Sequence, residues 1–274
     1  MKFRARTTEI AHIHTLTKII GVIHKMNKTA ILRLNADKMH LIVKNGASSV
    51  WTDLDPSNFF DEYNMEGLTE EFNEIYLELN PENVFKALKS AQTAKWLKLK
   101  LTKKQCPCLT FEIELPSVML TGRLVTHDIP VTVIPRRLWE EFEEPEMISF
   151  DVSIAMPPLK SLKNVVDRMR NISSYLIVSA NRDGNFKLGV ESDMVSVTTH
   201  FADLQVLNEE LANENNNNNN PQVRADIKHF AHILNGYQIN PNRVVCNILN
   251  DKMLQIFILH DQVTFQFYIP AVTT

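Results

Sequence analysis

Three groups of side chains in this 274-residue chain have the residue types for chemistry. The run "CPC" at 106–108 offers two thiols. One intervening residue and no second cysteine pair make the wrong spacing for a structural zinc site, so the pair reads as two small residues at a strand start. His12, His14 and His24 lie close in sequence. His14 and Lys18 share a helix face one turn apart, which fits surface histidines better than a metal site. His127-Asp128 could orient an imidazole for base catalysis, but no partner nucleophile is identifiable from sequence. No phosphate-binding P-loop, GxSxG elbow, HExxH or GxGxxG occurs. The chain therefore reads as a non-enzyme without cofactor or metal. A His-centred enzyme is the alternative from another class, and His127→Ala would have to abolish its turnover.

The more informative residues are cations. Four apolar-periodic windows, 9–26, 81–92, 158–171 and 227–236, contain Lys18, Lys25, Lys86, Lys89, Lys160, Lys163, Arg168, Arg170 and Lys228. Their only acids are Glu9, Glu82 and Asp167, so the windows carry a net charge of +6 in a chain whose net charge is −3. The remainder is strongly acidic. In the third window Leu159, Leu162, Val165, Val166, Met169 and Ile172 make one apolar stripe, with Lys160, Lys163 and Arg168 on or beside the opposite face. One such face is usually only solvated. Four from a repeated architecture predict a basic surface for a polyanion, with phosphate contacts that do not read sequence. A Gly-rich stacking motif of the RNA-binding kind is missing, and the chain has only 7 glycines.

The elements that must position these cations repeat. "MKFRAR" reads as a strand, then a helix follows in which Ile13, Leu16, Ile19, Ile20, Ile23 and Met26 recur at steps of three and four, then three strands, "TAILRL", "KMHLIV" and "SSVWTDL". The same order returns from "NEIYLEL" with Asn80-Pro81 as a helix start, from "ISFDVSIAM", and from "QVRAD" with Asp226 as a cap and Gly236 as a helix terminator. Asn35-x-Asp37 and Asn181-x-Asp183 mark matching turns in the first and third rounds. The expected fold is α+β, with two homologous domains of two β-α-β-β-β units each. Domain 1 spans 1–126 and domain 2 spans 148–274. Between them, 127–147 carries Pro130, Pro135 and Pro145 and reads as an extended connector, not a helix. The Asn-rich stretch 205–222 reads as a disordered loop inside domain 2.

Hydrophobic residues make up 44% and charged residues 22%, enough for a sizeable core. Apolar runs fall short of a membrane span, "KFRAR" at the start lacks a signal-peptide core, and three cysteines favour a reducing compartment over a disulfide framework.

Four such units with basic helices resemble the sliding-clamp fold of proliferating cell nuclear antigen. "FKALKSA" at 85–91 looks like its pore helix, and "MP" at 156–157 followed by "IVSANRDGNFKLG" is similar to the start of its second domain. Five blocks are more specific: "NFFDEYNMEG" at 58–67, "NEIYLEL" at 73–79, "RLVTHDIPVTVIPRRLW" at 123–139, "VTTHF" at 197–201 and the terminal "FYIPA". They resemble the Hus-one subunit family of the nine-one-one checkpoint clamp. The resemblance implies a non-catalytic subunit of a heterotrimeric PCNA-like ring, with helices lining a central hole and sheets outside. It implies as partners two paralogous clamp subunits, a clamp loader, double-stranded DNA without sequence specificity and repair enzymes, with no membrane. It also implies a nuclear location, with the cytoplasm as a second compartment. The nine cations would face DNA, edge strands near 118–125 and 193–200 would close the ring, and Ile129, Val131, Val133, Ile134 and Tyr268 resemble parts of a client-peptide groove. The chain stops at Thr274, so a long phosphorylatable tail would come from another subunit. A homotrimeric replicative clamp and a protein-only adaptor with merely solvated helices are the competing readings.

Overall fold

The computed structural model describes residues 1–117, 122–146, 148–207 and 220–272. The chain clusters into two compact units, Met1–Lys44 with Trp51–Glu144, and Asn45–Val50 with Pro145–Thr274. Most of the Asn-rich stretch, residues 118–121 of the first expected edge, and Thr274 lie outside the described residues.

The first unit begins with β1 (Lys2–Thr7), α1 (Ile10–Ile23), β2 (Ala30–Leu34), β3 (Met39–Asn45) and β4 (Ser48–Leu54). After β5 (Glu62–Glu66) come β6 (Ile75–Leu79), α2 (Pro81–Ser90), β7 (Trp96–Lys103), β8 (Pro107–Leu115) and β9 (Arg123–Val133). The second unit repeats the order: β10 (Val152–Ala155), α3 (Leu159–Met169), β11 (Tyr175–Ala180), β12 (Phe186–Glu191) and β13 (Ser196–Phe201). It continues with β14 (Gln222–Asp226), α4 (Ile227–Ile233), β15 (Arg243–Leu249), β16 (Met253–His260) and β17 (Val263–Pro270). The molecule is α+β and rich in sheet. Strand, helix and three strands recur in order, and β5 stands outside that pattern.

In the first unit the strands lie in the order β5-β1-β7-β8-β9-β6-β2-β3-β4. In the second, β10-β15-β16-β17 and β14-β11-β12-β13 run as two series of neighbours. Alternation along each strand sends one set of side chains to the helices. Leu16 and Ile20 of α1, and Val84 and Leu88 of α2, meet Phe3, Leu32, Leu41, Leu79, Leu99, Leu109 and Phe111 around one small apolar cavity of about 50 Å³.

Local chemistry explains the element starts. The Asn80 carboxamide oxygen accepts from the Glu82 and Asn83 N–H groups at 2.9 and 3.4 Å, with Pro81 opening α2. The Asp226 carboxylate accepts from Lys228 and His229 N–H at 2.7 and 3.1 Å. Two asparagines build the matching hairpin turns. The Asn35 side chain accepts from Asp37 and Lys38 N–H at 3.0 and 2.6 Å, and the Asn181 side chain from Asp183 and Asn185 N–H at 3.1 and 3.0 Å. Gly184 takes φ +80° beside the second.

Two expectations are corrected. Gly236 does not end its helix. α4 passes at Leu234 into a 3₁₀ turn, Leu234–Ile239, and Asn240 supplies the left-handed cap at φ 56°. Glycine at 236 leaves room for the Ile258 Cδ1 methyl, which would stand 2.4 Å from a Cβ there and have to move. The proline-bearing stretch is likewise not a uniform extended connector. Residues 127–133 continue β9, paired to β8 through Cys108↔Pro130 and to β6 through Leu77↔Val133. Arg136–Phe142 then forms a 3₁₀ helix. Its Trp139 stacks on Tyr76 at 4.6 Å and donates its indole N–H to the Ile134 carbonyl at 3.1 Å. Ile31, Ile42 and Trp51 complete this buried cluster on the sheet face opposite the helices.

Asn80→Ala removes the acceptor for two N–H groups at the start of α2 and should cost about 1 kcal/mol, read in a melting experiment as a Tm lower by roughly 2–4 °C. Trp139→Ala should cost about 3 kcal/mol or more in urea titration, because it empties a buried aromatic site. An unchanged midpoint would mean that the 3₁₀ helix does not anchor the connector.

Candidate nucleic-acid interface

Each unit brings two of the basic helices together. In the first, Phe85 of α2 lies against the backbone of α1, where a Cβ on Gly21 would meet the Phe85 ring at 3.2 Å. The His24 ring stacks on the Phe85 ring at 4.2 Å, and the Gln92 amide donates to the Thr17 hydroxyl at 2.8 Å. His14 reaches the Gln92 carbonyl at 3.1 Å, so it serves as a helix-to-helix tie. Val22 and Gly21 are buried, and α1 keeps a narrow exposed stripe through Ile10, Ala11, His14 and Lys18, with Lys25 in the turn after it.

Lys18, Lys25, Lys86 and Lys89 are all exposed. Lys86 pairs with Glu82 one turn earlier at 2.8 Å, and Lys89 stands over the Phe85 ring at 5.1 Å. In the second unit Lys160, Arg168, Arg170 and Lys228 are exposed and Lys163 is half-buried. Asp167 takes both Lys163 at 3.0 Å and Arg170 at 3.7 Å. Among the described residues, Lys18, Lys25, Lys89, Lys160, Arg168 and Lys228 have no carboxylate at ion-pair distance. Six of the nine cations thus face solvent without an acid. On α4 the His232 imidazole is held below its usual range first by burial, then by His229, Arg170 and Lys163. Exposed cations that hold no acid of their own are suited to an anion.

The other expected groups fall elsewhere. Ile129 and Val131 are buried in β9 on the helix side, paired with Leu109 and Leu79. Val133 is half-buried, and Ile134 is buried under Trp139. Tyr268 is buried in the second unit and donates its hydroxyl to Gln266 at 2.7 Å. All but Val133 are thus covered within their own unit.

His127 has a partner that sequence reasoning missed: the Ser90 hydroxyl lies 2.8 Å from its Nε2. No pattern could reveal it, because α2 and β9 meet only in the fold. Ser90 also reaches the Ala87 carbonyl at 2.7 Å, which occupies its single proton. Asp128, the next residue along β9, points the other way and accepts from Thr110 at 2.7 Å and Lys104 at 2.5 Å. Alternation along the strand therefore keeps the acid from the imidazole it would have to orient.

Residues 1–273 match the family model described as Hus1-like protein. The chain is 45% identical over 280 residues to checkpoint protein HUS1 of Homo sapiens, covering all of both chains. It is 30% identical over 214 residues to checkpoint protein Hus1-like of Drosophila melanogaster, covering 75% of this chain and 77% of that one. It is 26% identical over 284 residues to checkpoint protein hus1 homolog of Dictyostelium discoideum, covering 99% and 98%. A family match from the first strand to the last, with a full-length relative at 45% identity, places the chain in the Hus1-like family.

Proposed function

We propose that this chain is a non-catalytic subunit of a DNA-damage checkpoint clamp. In this reading it joins two paralogous subunits in a PCNA-like ring that a clamp loader places around double-stranded DNA in the nucleus, where repair enzymes are recruited. The observation that carries the reading is the full-length family match. The relatives named above are checkpoint proteins, which gives the homotrimeric replicative clamp no support.

The basic helices supply the DNA contact in this reading. Cations that hold no acid can screen phosphates without fixing a register, so the ring is kept on DNA by topology and stays mobile. Ring closure uses edge strands. Among the described residues β13 pairs only with β12, and β9 pairs with β6 only over Val131–Val133, so that residues 123–130 have β8 alone as a neighbouring strand. A client-peptide groove near the connector would have to form from exposed neighbours such as Pro130, Thr132 and Leu138, because Ile129, Val131 and Ile134 are already buried.

Co-expression with the two paralogous subunits should give an assembly with the mass of a one-to-one-to-one trimer. That assembly should remain on closed circular DNA after loading and run off linear DNA. A monomer that ignores both partners and DNA would overturn the reading, and self-trimers would restore the replicative alternative.

Replacing Lys18, Lys89, Lys160, Arg168 and Lys228 with alanine should weaken DNA binding and reduce the slope of log K against log salt by roughly 0.9 for each phosphate no longer neutralised. Assembly mass should not change. An unaltered salt dependence would mean the helices are only solvated, as in a protein-only adaptor.

A further inference from the structure

β7 and β8 are joined by a turn at 104–106, closed by the Lys104 N–H donating to the Cys106 carbonyl at 3.2 Å. Pro107 then opens β8. Cys106 and Cys108 are two positions apart, a separation that returns side chains to the same side of an extended chain. Their sulfurs lie 3.8 Å apart. Cys106 is exposed and Cys108 buried. The Cys108 thiol also lies 3.4 Å from the Cys106 carbonyl, to which it donates. The remaining cysteine, Cys246, is fully buried in β15, and burial pushes its thiol far up.

We propose that Cys106 and Cys108 are a two-electron redox site that closes to a disulfide on reaction with a hydroperoxide. Cys106 is the sulfur an oxidant in solution can reach. As a thiolate it attacks one peroxide oxygen: the S–O bond forms, the O–O bond breaks, and the departing hydroxide takes a proton to become water. The product at Cys106 is a sulfenic acid. Cys108 then attacks that sulfur: the S–S bond forms, the S–O bond breaks, and hydroxide leaves as a second water with the proton Cys108 gives up. Two thiols are oxidised, and one hydrogen peroxide is reduced to two waters.

The environment divides the roles. Burial, then the neighbouring Cys106 and Asp128, push the Cys108 thiol up, which keeps it protonated and shielded until the sulfenic acid forms beside it. Lys104 offsets some of this, but its ammonium is engaged by Asp128 at 2.5 Å. The sulfurs must close from 3.8 Å to a bond of about 2.05 Å. Cys106 lies in the exposed turn, so its side chain and the turn can supply that movement while Cys108 stays in the sheet. The bridge would sit where β8 faces Pro130, which brings no N–H. The Cys108 carbonyl instead accepts from the Thr102 hydroxyl at 3.4 Å. A ring closed over three residues restrains the unfolded chain little, so the expected change is local to this hairpin.

The test counts thiols. The full chain is exposed to a graded series of hydrogen peroxide, quenched with catalase, denatured and alkylated with N-ethylmaleimide, and its intact mass is measured. The reduced protein should take three labels. The oxidised protein should take one, on Cys246, as a monomer two hydrogens lighter before labelling, and dithiothreitol should restore all three. Cys108→Ser should stop at a sulfenic acid that dimedone captures at Cys106, and Cys106→Ser should keep both remaining thiols labelled across the series. Three labels retained at every dose would overturn the proposal. So would irreversible oxidation of Cys106 with Cys108 still labelled, or disulfide-linked dimers in place of the internal bridge.

Discussion

Phe85 lies on the backbone of α1 at Gly21, and that contact decides what the first unit can show to a partner. A Cβ at 21 would stand 3.2 Å from the ring, closer than an ordinary contact, so glycine lets the helices approach without the Phe85 ring giving way. Once they do, Val22 is enclosed and Ile10, Ala11, His14 and Lys18 are left facing outward. The second unit uses the same device at another place. Gly236 lets the 3₁₀ turn after α4 approach Ile258, with Leu159 of α3 next nearest at 3.5 Å. On α1 close helix packing narrows the solvent face to a stripe, whereas α3 exposes a broader face through Lys160, Ser161, Asn164, Asp167 and Arg168, and lysine or arginine stands on both. Long cationic side chains suit such a stripe, since their stems cover apolar surface while their heads stay in water.

The ion pairs on these helices leave the surface available. Lys86 and Glu82 are both more than half exposed, and pairs of this kind are worth only about 0.3–0.5 kcal/mol. Glu82 preceding Lys86 by one turn is the favourable order, and Lys163 preceding Asp167 is the weaker one. Either acid can be exchanged for a phosphate oxygen at little cost. The acids on the rest of the chain matter more for selectivity, because their repulsion of a polyanion leaves the helices as the attractive face.

The helices were legible in the sequence, and the reasons are local. A three-four apolar rhythm, an Asn-Pro start and an Asp cap act within a few residues, and α2 and α4 begin where those signals stand. The echo of Asn35 in Asn181 was legible for the same reason, since each asparagine folds its own turn through its side chain. What escaped was decided between distant segments. β5 has no strong strand signal in "EYNME", and it exists because β1 offers a free side, with Glu62 lying near Arg4 and Arg6 at 3.5 and 3.6 Å. Ser90 meets His127 only after α2 has docked beside β9. Gly236 looked like a helix stop because composition cannot distinguish a glycine used for its backbone angle from one packed closely against a neighbour. Of the candidate site, the residue types and their exposure were readable, but the acids they hold were only partly so.

The connector shows why proline density misleads. Proline argues against a central strand because it brings no N–H to the ladder, but the argument weakens where a strand has a neighbour on one side only. β9 is in that position at Pro130, which faces Cys108 of β8 before pairing with β6 begins at Val131. Pro135 then precedes the 3₁₀ turn as its extended N-cap residue, with φ −67° and ψ 147°. Aromatic contact does the rest: Arg136 covers the Phe72 ring at 3.2 Å and Trp139 covers Tyr76. Most of the stretch that composition marks as a tether is thereby built into the first unit's sheet and its outer cluster. Only residues 143–151 lie between Phe142 and β10 in the chain, and at their end the Asp151 N–H already donates to the Ile248 carbonyl at 3.0 Å.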